Sequence, residues 1–119
     1  MEIINYLHTA ILISDVAQSE KFYSEVLGLT KVERNLKYPG IWYQVGNYQI
    51  HLMEHPDFKQ PLSNPEKVGR NPHIAFAVKD LNQAIERLKA FDYPLEISTS
   101  RPALFTRDPD GNVIEINQA

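Results

Sequence analysis

Four side chains of this sequence are of the types that bind divalent metal ions, and they recur at nearly constant spacing. His8 and His73 lie 65 residues apart, and His51 and Glu115 lie 64 residues apart. Three neutral imidazoles and one carboxylate suit zinc, nickel, cobalt, manganese or ferrous iron, whereas calcium and magnesium prefer all-oxygen sites. Taken singly, each histidine has an ordinary alternative as a hydrogen-bonded structural residue, and the glutamate as a residue at a solvated edge. The paired spacing favours a metal site over these alternatives.

The sequence around these residues is repeated. Two segments align without a gap, LHTAILISDVAQSEKFYSEVLGL in the first half and PHIAFAVKDLNQAIERLKAFDY in the second. The alignment places Asp15 on Asp80 and Gln18 on Gln83, and each Asp–Gln pair has the spacing of a helix N-cap. The strand, helix and turn signals of each half follow the order βαβββ. We therefore predict an α+β fold in one domain, 1–119, with a first module at about 1–54, a linker at about 55–71 and a second module at about 72–119.

The predicted elements place each candidate ligand on a strand. The first module has predicted strands at Leu7–Ile13, near Leu29–Arg34, near Ile41–Val45 and at Tyr48–Glu54, and a helix that ends at Gly28. The second has predicted strands at His73–Val78, near Leu95–Thr99, near Ala103–Arg107 and at Asn112–Asn117, and a helix with an apolar stripe of Ala84, Ile85 and Leu88. The polar, proline-rich linker is predicted to contain no packed element, and it is either functional or a plain tether.

Side-chain alternation along these strands gives the four candidates similar neighbours. Residues two apart share a face, so His8 lies with Ala10, and Glu115 lies opposite Ile114 and Ile116. In each of the four strands the bulky aliphatic residues lie mostly on the face away from the candidate ligand. Because a helix would cover the aliphatic face, the ligand face is predicted to line a cavity.

Composition excludes several other classes of function. The 119 residues are 43% apolar and 23% charged, as in an ordinary globular domain, and the net charge of −3 argues against nucleic-acid or anionic-membrane binding. No apolar run is long enough to span a membrane. The sequence has no cysteine, which excludes disulfides, thiolate nucleophiles and cysteine-bound zinc. Without a recognisable signal peptide, the chain is expected to be cytoplasmic.

Three stretches carry a family resemblance: FYSEVLGL at 22–29, PHIAFAVKDL at 72–81 and DPDGNVIEI at 108–116. The chain resembles the vicinal oxygen chelate superfamily, which includes glyoxalase I, extradiol dioxygenases, methylmalonyl-CoA epimerase, and fosfomycin-resistance and bleomycin-binding proteins. The resemblance implies two βαβββ modules that form a half-open mixed β-barrel around a divalent metal, with helices on the outer face. It implies ligands from the first and last strands of each module, here His8, His51, His73 and Glu115. It also implies a homodimer, with the site within one chain or shared between two.

By this resemblance the chain is expected to be a glyoxalase I-like lyase or isomerase that binds a small-molecule substrate through vicinal oxygens. In glyoxalase I the position matching His51 is usually acidic, so proton transfer here falls to Glu115 or to His51 itself. One alternative is a ring-cleaving dioxygenase with His8, His73 and Glu115 on ferrous iron. Another is a non-catalytic protein that binds a small molecule and confers resistance.

Some residues near the middle strands and the long loop could contact the substrate. They are Arg34, Tyr38, Arg70 and Arg107. Arg70 and Arg107 would meet an anionic group of the substrate, with surface ion pairs to nearby aspartates as their alternative. Trp42 and Phe105 are expected to lie in the core rather than in the pocket.

Overall fold

The computed structural model describes residues 1–119 and consists of two compact units, Met1–Phe58 and Lys59–Ala119. Each unit has the order βαβββ and contains one four-stranded mixed sheet. The predicted α+β class and the repeated βαβββ modules are confirmed. Residues 59–71, predicted as part of a linker, belong to the second unit.

The first unit contains β1 (His8–Ile13), α1 (Val16–Glu20), a π-helical segment (Lys21–Val26), β2 (Thr30–Val32), β3 (Gly40–Val45) and β4 (Tyr48–Glu54). Its strand order is β1-β4-β3-β2, with β1 parallel to β4 and the other pairs antiparallel. The first and last strands of the unit are therefore neighbours, and these two strands carry the predicted ligands.

The second unit contains a 3-10 turn (Val68–Arg70), β5 (His73–Val78), α2 (Leu81–Ala90), β6 (Glu96–Ile97), β7 (Ala103–Arg107) and β8 (Val113–Gln118). Its order, β5-β8-β7-β6, repeats that of the first unit, and β5 is parallel to β8. Neither α-helix is long and apolar enough to cross a membrane.

Both α-helices begin at the predicted caps. Asp15 Oδ1 accepts a hydrogen bond from the Gln18 N–H at 2.9 Å, and Asp80 Oδ1 accepts one from the Gln83 N–H at 3.2 Å. Each bond satisfies a backbone donor that the first helical turn leaves unpaired. The predicted N-caps are confirmed.

A second pair of caps ties each helix to the strand that carries a candidate ligand. The Val16 N–H donates to Glu54 Oε2 at 3.0 Å, and the Leu81 N–H donates to Gln118 Oε1 at 2.9 Å. Glu54 ends β4 and Gln118 ends β8, so the two contacts are equivalent in the repeat. They hold the helix start against the last strand of each unit.

The first helix differs from the prediction in its second half. A single α-helix was expected to continue to Gly28, whereas the chain widens into a π-helical segment at Lys21–Val26. Phe22 and Tyr23 are both fully buried there, with ring centroids 4.9 Å apart. The wider turn lets two consecutive aromatic rings reach the core together. Gly28 ends the segment at φ +75, as its predicted position after the helix requires.

The core of each unit lies on one face of its sheet. The most buried strand residues on that face, 5% exposed or less, are Ile13, Ile41, Tyr43, Ile50 and Leu52 in the first unit and Leu104, Ile114 and Ile116 in the second. The candidate ligands His51 and Glu115 alternate with these residues and therefore project from the opposite face. In the second sheet Ala103 and Val113 are also buried, on the opposite face.

Candidate metal centre

The second unit brings His73 and Glu115 together. Their strands β5 and β8 are adjacent, and the register places Ala75 opposite Glu115, so the two side chains are diagonal neighbours on one face. His73 Nε2 lies 3.4 Å from Glu115 Oε2. Two ligands with metal bonds of about 2.0–2.2 Å at a tetrahedral angle lie about 3.3–3.6 Å apart. The spacing of these two atoms is therefore that of two ligands of one ion.

Hydrogen bonding orients His73 for such a role. Its Nδ1 lies 2.7 Å from the backbone oxygen of Asn71, which can only accept, so Nδ1 carries the hydrogen. Nε2 then presents its lone pair toward Glu115. The facing nitrogen and carboxylate oxygen can share a proton or bind one metal ion. Metal-binding histidines commonly donate their other ring N–H to a carbonyl in this way.

Asn71 is a buried residue that holds this carbonyl in place, and sequence reasoning did not identify it. It is 5% exposed, and its amide nitrogen donates to the backbone oxygens of Asn64 and Val68, each at 2.9 Å. Its amide oxygen accepts from the Asn64 N–H at 2.9 Å. The predicted absence of a packed element in this loop is wrong, because hydrogen bonds of Asn71 order residues 64–71 and the 3-10 turn contacts β8.

Glu115 is held as an anion. It is 8% exposed, and Arg101 donates from Nη2 to its Oε1 and from Nη1 to Asn117 Oδ1, the latter at 2.8 Å. Burial alone would raise the pKa of Glu115, but the hydrogen bond and charge of Arg101, helped by His73 and Asn117, lower it below its usual value. Arg101 therefore occupies one carboxylate oxygen while the other faces His73. No local pattern in the sequence marks Arg101.

The first unit contains the second candidate pair, His8 and His51. The register aligns Ala10, His51 and Trp42 across three strands. The His51 ring lies between two others, with its centroid 4.0 Å from that of His8 and 4.1 Å from that of Trp42, at interplanar angles of 16° and 8°. The expectation that Trp42 belongs to the core is wrong, because it stacks on a candidate ligand.

His51 is kept neutral by this environment. Burial lowers its pKa, and the neighbouring His8 and Arg34 lower it further. Its Nε2 lies 2.8 Å from the amide oxygen of Gln49, an acceptor, which leaves Nδ1 with the lone pair. A neutral, oriented imidazole can bind a metal ion or accept a proton from a substrate.

The remaining predicted residues lie in different settings. The Arg34 guanidinium lies over the Tyr38 ring, 4.9 Å from its centroid. Arg70 is exposed at the end of the 3-10 turn. Arg107 donates to the backbone oxygens of Gly111 and Gln60, at 3.2 and 3.1 Å. Within neither unit does a third histidine or carboxylate join a candidate pair to complete a metal site.

Comparison with known proteins relates this chain to a family. The sequence model of the Glyoxalase/Bleomycin resistance protein/Dioxygenase superfamily matches residues 5–116. YaeR of Escherichia coli K12, an uncharacterised protein, is 32% identical over 119 residues, which cover 92% of each chain. Glyoxylase I 4 of Arabidopsis thaliana is 31% identical over 120 residues, covering 92% of this chain and 67% of that protein. The trypanothione-dependent glyoxalase I of Leishmania major shares the fold, with a TM-score of 0.75 at 23% identity, over 98% of this chain and 87% of that one.

Proposed function

Because this chain belongs to the Glyoxalase/Bleomycin resistance protein/Dioxygenase superfamily, we propose that it is a glyoxalase-like metalloenzyme of the lyase or isomerase type. Its substrate is a small molecule with two vicinal oxygens, and its reaction moves a proton at the adjacent carbon. The observation that carries this proposal is the pairing of His73 and Glu115, whose facing atoms lie 3.4 Å apart with a fixed histidine tautomer and an ionised carboxylate.

The proposed ligands are His73 Nε2 and Glu115 Oε2 from the second unit and His8 from the first; the single free lone pair of His51 serves either as a fourth ligand or as a base, and we assign it to the base below. We also propose that the chain forms a homodimer, as the family resemblance implies. Zinc, nickel, cobalt, manganese and ferrous iron accept this set of imidazole and carboxylate ligands. When bound, such an ion supplies Lewis acidity that stabilises negative charge developing on the substrate oxygens.

We assign proton transfer to His51 rather than to Glu115. Glu115 has one oxygen held by Arg101 and a lowered pKa, so it is a weak base with little freedom to move. His51 is neutral and its ring is oriented by Gln49. An imidazole of this kind accepts a proton near neutral pH, as general base catalysis requires. His8 and His51 lie nearly parallel, so both can bind one ion only if their rings splay apart.

Metal content is the test of this proposal. The purified protein is reconstituted with each candidate ion in turn, and the bound metal is measured by elemental analysis. We expect about one ion per chain in the wild type and in a His55→Ala control, and loss of the ion in His73→Ala. Circular dichroism verifies that each variant folds. If no ion binds under any condition, the metalloenzyme proposal fails, and non-catalytic binding of a small molecule takes its place.

The identity of the metal and the effect of His51 then define the chemistry. Bound iron would favour the dioxygenase alternative, whereas nickel or zinc supports a lyase or isomerase. Isomerisation of a hemithioacetal can be followed by the absorbance of the thioester product. A His51→Gln variant should lose about 100-fold or more in kcat if this residue carries the proton. Unchanged kcat in a metal-loaded variant would exclude His51 as the base.

A further inference from the structure

A cavity of about 330 Å³ opens beside the histidine–tryptophan stack of the first unit. Glu33, Arg34, Asn35 and Trp42 line it. Val32 pairs with Trp42 in the antiparallel register, so Arg34, two residues later, lies beside Gly40 on the same face. A Cβ at Gly40 would lie 2.3 Å from the Leu52 backbone oxygen and 3.2 Å from Arg34 Nη2, so the glycine lets both groups approach closely. The cavity therefore combines an aromatic wall with a cationic group.

The Arg34 guanidinium has unused hydrogen-bonding capacity. Its Nε and Nη2 atoms are buried and have no hydrogen-bond partner, and Arg34 forms no ion pair, not even with Glu33. Leaving charged donors buried and unpaired is costly. Nε and Nη2 also form the edge of an arginine that binds a carboxylate through two parallel hydrogen bonds.

The surroundings hold the Arg34 side chain near the candidate site. Arg34 Cζ lies over the Tyr38 ring, 4.9 Å from its centroid, and Arg34 itself lines the cavity, so rotation of its side chain would present the Nε–Nη2 edge to a ligand. Arg34 lies two residues beyond Val32, which shares a row of the sheet with Trp42 and His51, and this offset is about 7 Å along the strand. A ligand of a few atoms can span this distance.

We propose that the Arg34 cavity binds a carboxylate of the substrate, separate from the vicinal oxygens, so that the enzyme selects anionic substrates. Anion binding by Arg34 does not depend on the proposed function, but the statement that the anion is part of the substrate does. The substrate class it defines is a small acid with two vicinal oxygens at one end and a carboxylate several bonds away. Two hydrogen bonds to the planar arginine edge would select a carboxylate over a neutral amide of the same shape.

Anion binding can be measured on the metal-free protein. Trp42 is the single tryptophan of the chain and lines the cavity, so its fluorescence reports on binding there. The probes are glutarate, a dicarboxylate without vicinal oxygens, and glutaramide, its neutral counterpart. The Arg34 Nε–H resonance in a ¹H–¹⁵N NMR spectrum gives a second readout. We expect glutarate to shift both signals and glutaramide to leave both unchanged.

Three variants make the test specific to the arginine edge. Arg34→Gln should weaken glutarate binding about tenfold or more, because it removes a charged bidentate contact. Arg34→Lys should fall between this variant and the wild type, because it keeps the charge without the planar edge. Lys37→Gln removes one positive charge from the same exposed segment, outside the cavity lining, and should bind as the wild type does.

The proposal is overturned if glutarate shifts neither signal, if glutaramide binds equally well, or if Lys37→Gln weakens binding as much as Arg34→Gln. If Arg34→Gln does not fold, the glutarate affinity of Arg34→Lys is the test. The proposal is overturned if that variant binds glutarate as tightly as the wild type does. Since no metal is present, the result is independent of metal content. Glutarate binding by a protein that takes up no metal would support the anion site while the proposed enzyme function fails.

Discussion

Replacing Arg101 by glutamine tests whether this residue holds Glu115 as an ionised group. Arg101 donates two hydrogen bonds, one to Glu115 Oε1 and one to Asn117 Oδ1. In the variant, Glu115 keeps its burial, which raises its pKa, and loses the largest contribution that lowers it. We therefore expect the variant to be less stable, with a higher pKa for Glu115.

The size of the effect follows from the exposure of the two partners. A hydrogen bond to a charged group contributes about 1.5–3 kcal/mol. The Glu115 side chain is 10% exposed, but that of Arg101 is 49% exposed, which places the effect at the lower end of this range. We expect the free energy of unfolding of the metal-free protein to fall by about 1.5 kcal/mol at pH 7. For a chain of this length that corresponds to a decrease in Tm of about 5 °C.

The loss should depend on pH in a defined direction. Because the folded pKa of Glu115 is lowered, its ionisation stabilises the wild type above the unfolded pKa of about 4.3. That stabilisation disappears as the pH falls through the folded pKa. The difference between Arg101→Gln and the wild type should therefore be largest near neutral pH and shrink below about pH 4.5. Urea unfolding at pH 7, 5 and 4 measures it.

Two comparisons separate this contact from a general effect of charge. Lys79→Gln removes a positive charge from an exposed position of the same unit and should change stability by less than about 0.5 kcal/mol. In a double-mutant cycle, Arg101→Gln should lower the free energy of unfolding only slightly when Glu115 is already replaced by glutamine. The reasoning is refuted if Arg101→Gln resembles Lys79→Gln, or if its effect is the same at all three pH values.

Three further variants test other parts of the candidate site. Asn71→Ala should lower the free energy of unfolding, measured in urea, by about 2–3 kcal/mol because buried hydrogen bonds are lost. It should also weaken metal affinity, measured by titration, about tenfold because His73 is no longer held in place. His51 should titrate in an NMR experiment below its usual pKa of about 6.5, and its lowered pKa means that stability is lost as the pH falls below that value. Gly69→Ala would place a Cβ 2.4 Å from Phe105 Cζ and should cost about 1–3 kcal/mol in thermal unfolding, with part of the loss recovered when Phe105→Leu is added.

Each of these predictions has a contradicting result. Asn82→Ala, at an exposed helical position, is the control for Asn71→Ala, and equal metal affinity in the two variants would contradict the positioning role. His51→Asn should remove part of the stability loss between neutral and acidic pH. A His51 that titrates above 6.5 would be inconsistent with its buried stack. For Gly69, an alanine variant as stable as the wild type would show that Phe105 moves aside freely.

The repeat and the faces of its strands could be predicted from the sequence. The equivalence of Asp15 with Asp80 predicted both helix starts, and both caps form. Side-chain alternation separated the core residues Ile50 and Leu52 from His51. These features depend on the geometry of a few consecutive residues, namely strand alternation and the unpaired donors of a helix start. Strand alternation and helix capping depend on neighbouring residues in the chain and not on distant contacts.

Other contacts depend on how distant segments meet, and the sequence did not reveal them. Arg101 reaches Glu115 from outside any strand, and Trp42 reaches His51 through the register of β3 and β4. Asn71 acts through its backbone oxygen, which every residue possesses. The sequence by itself thus determined the modules, their cores and the four candidate ligands. Only the tertiary structure decided which groups hold those ligands, because strand register and side-chain hydrogen bonds join residues far apart in the chain.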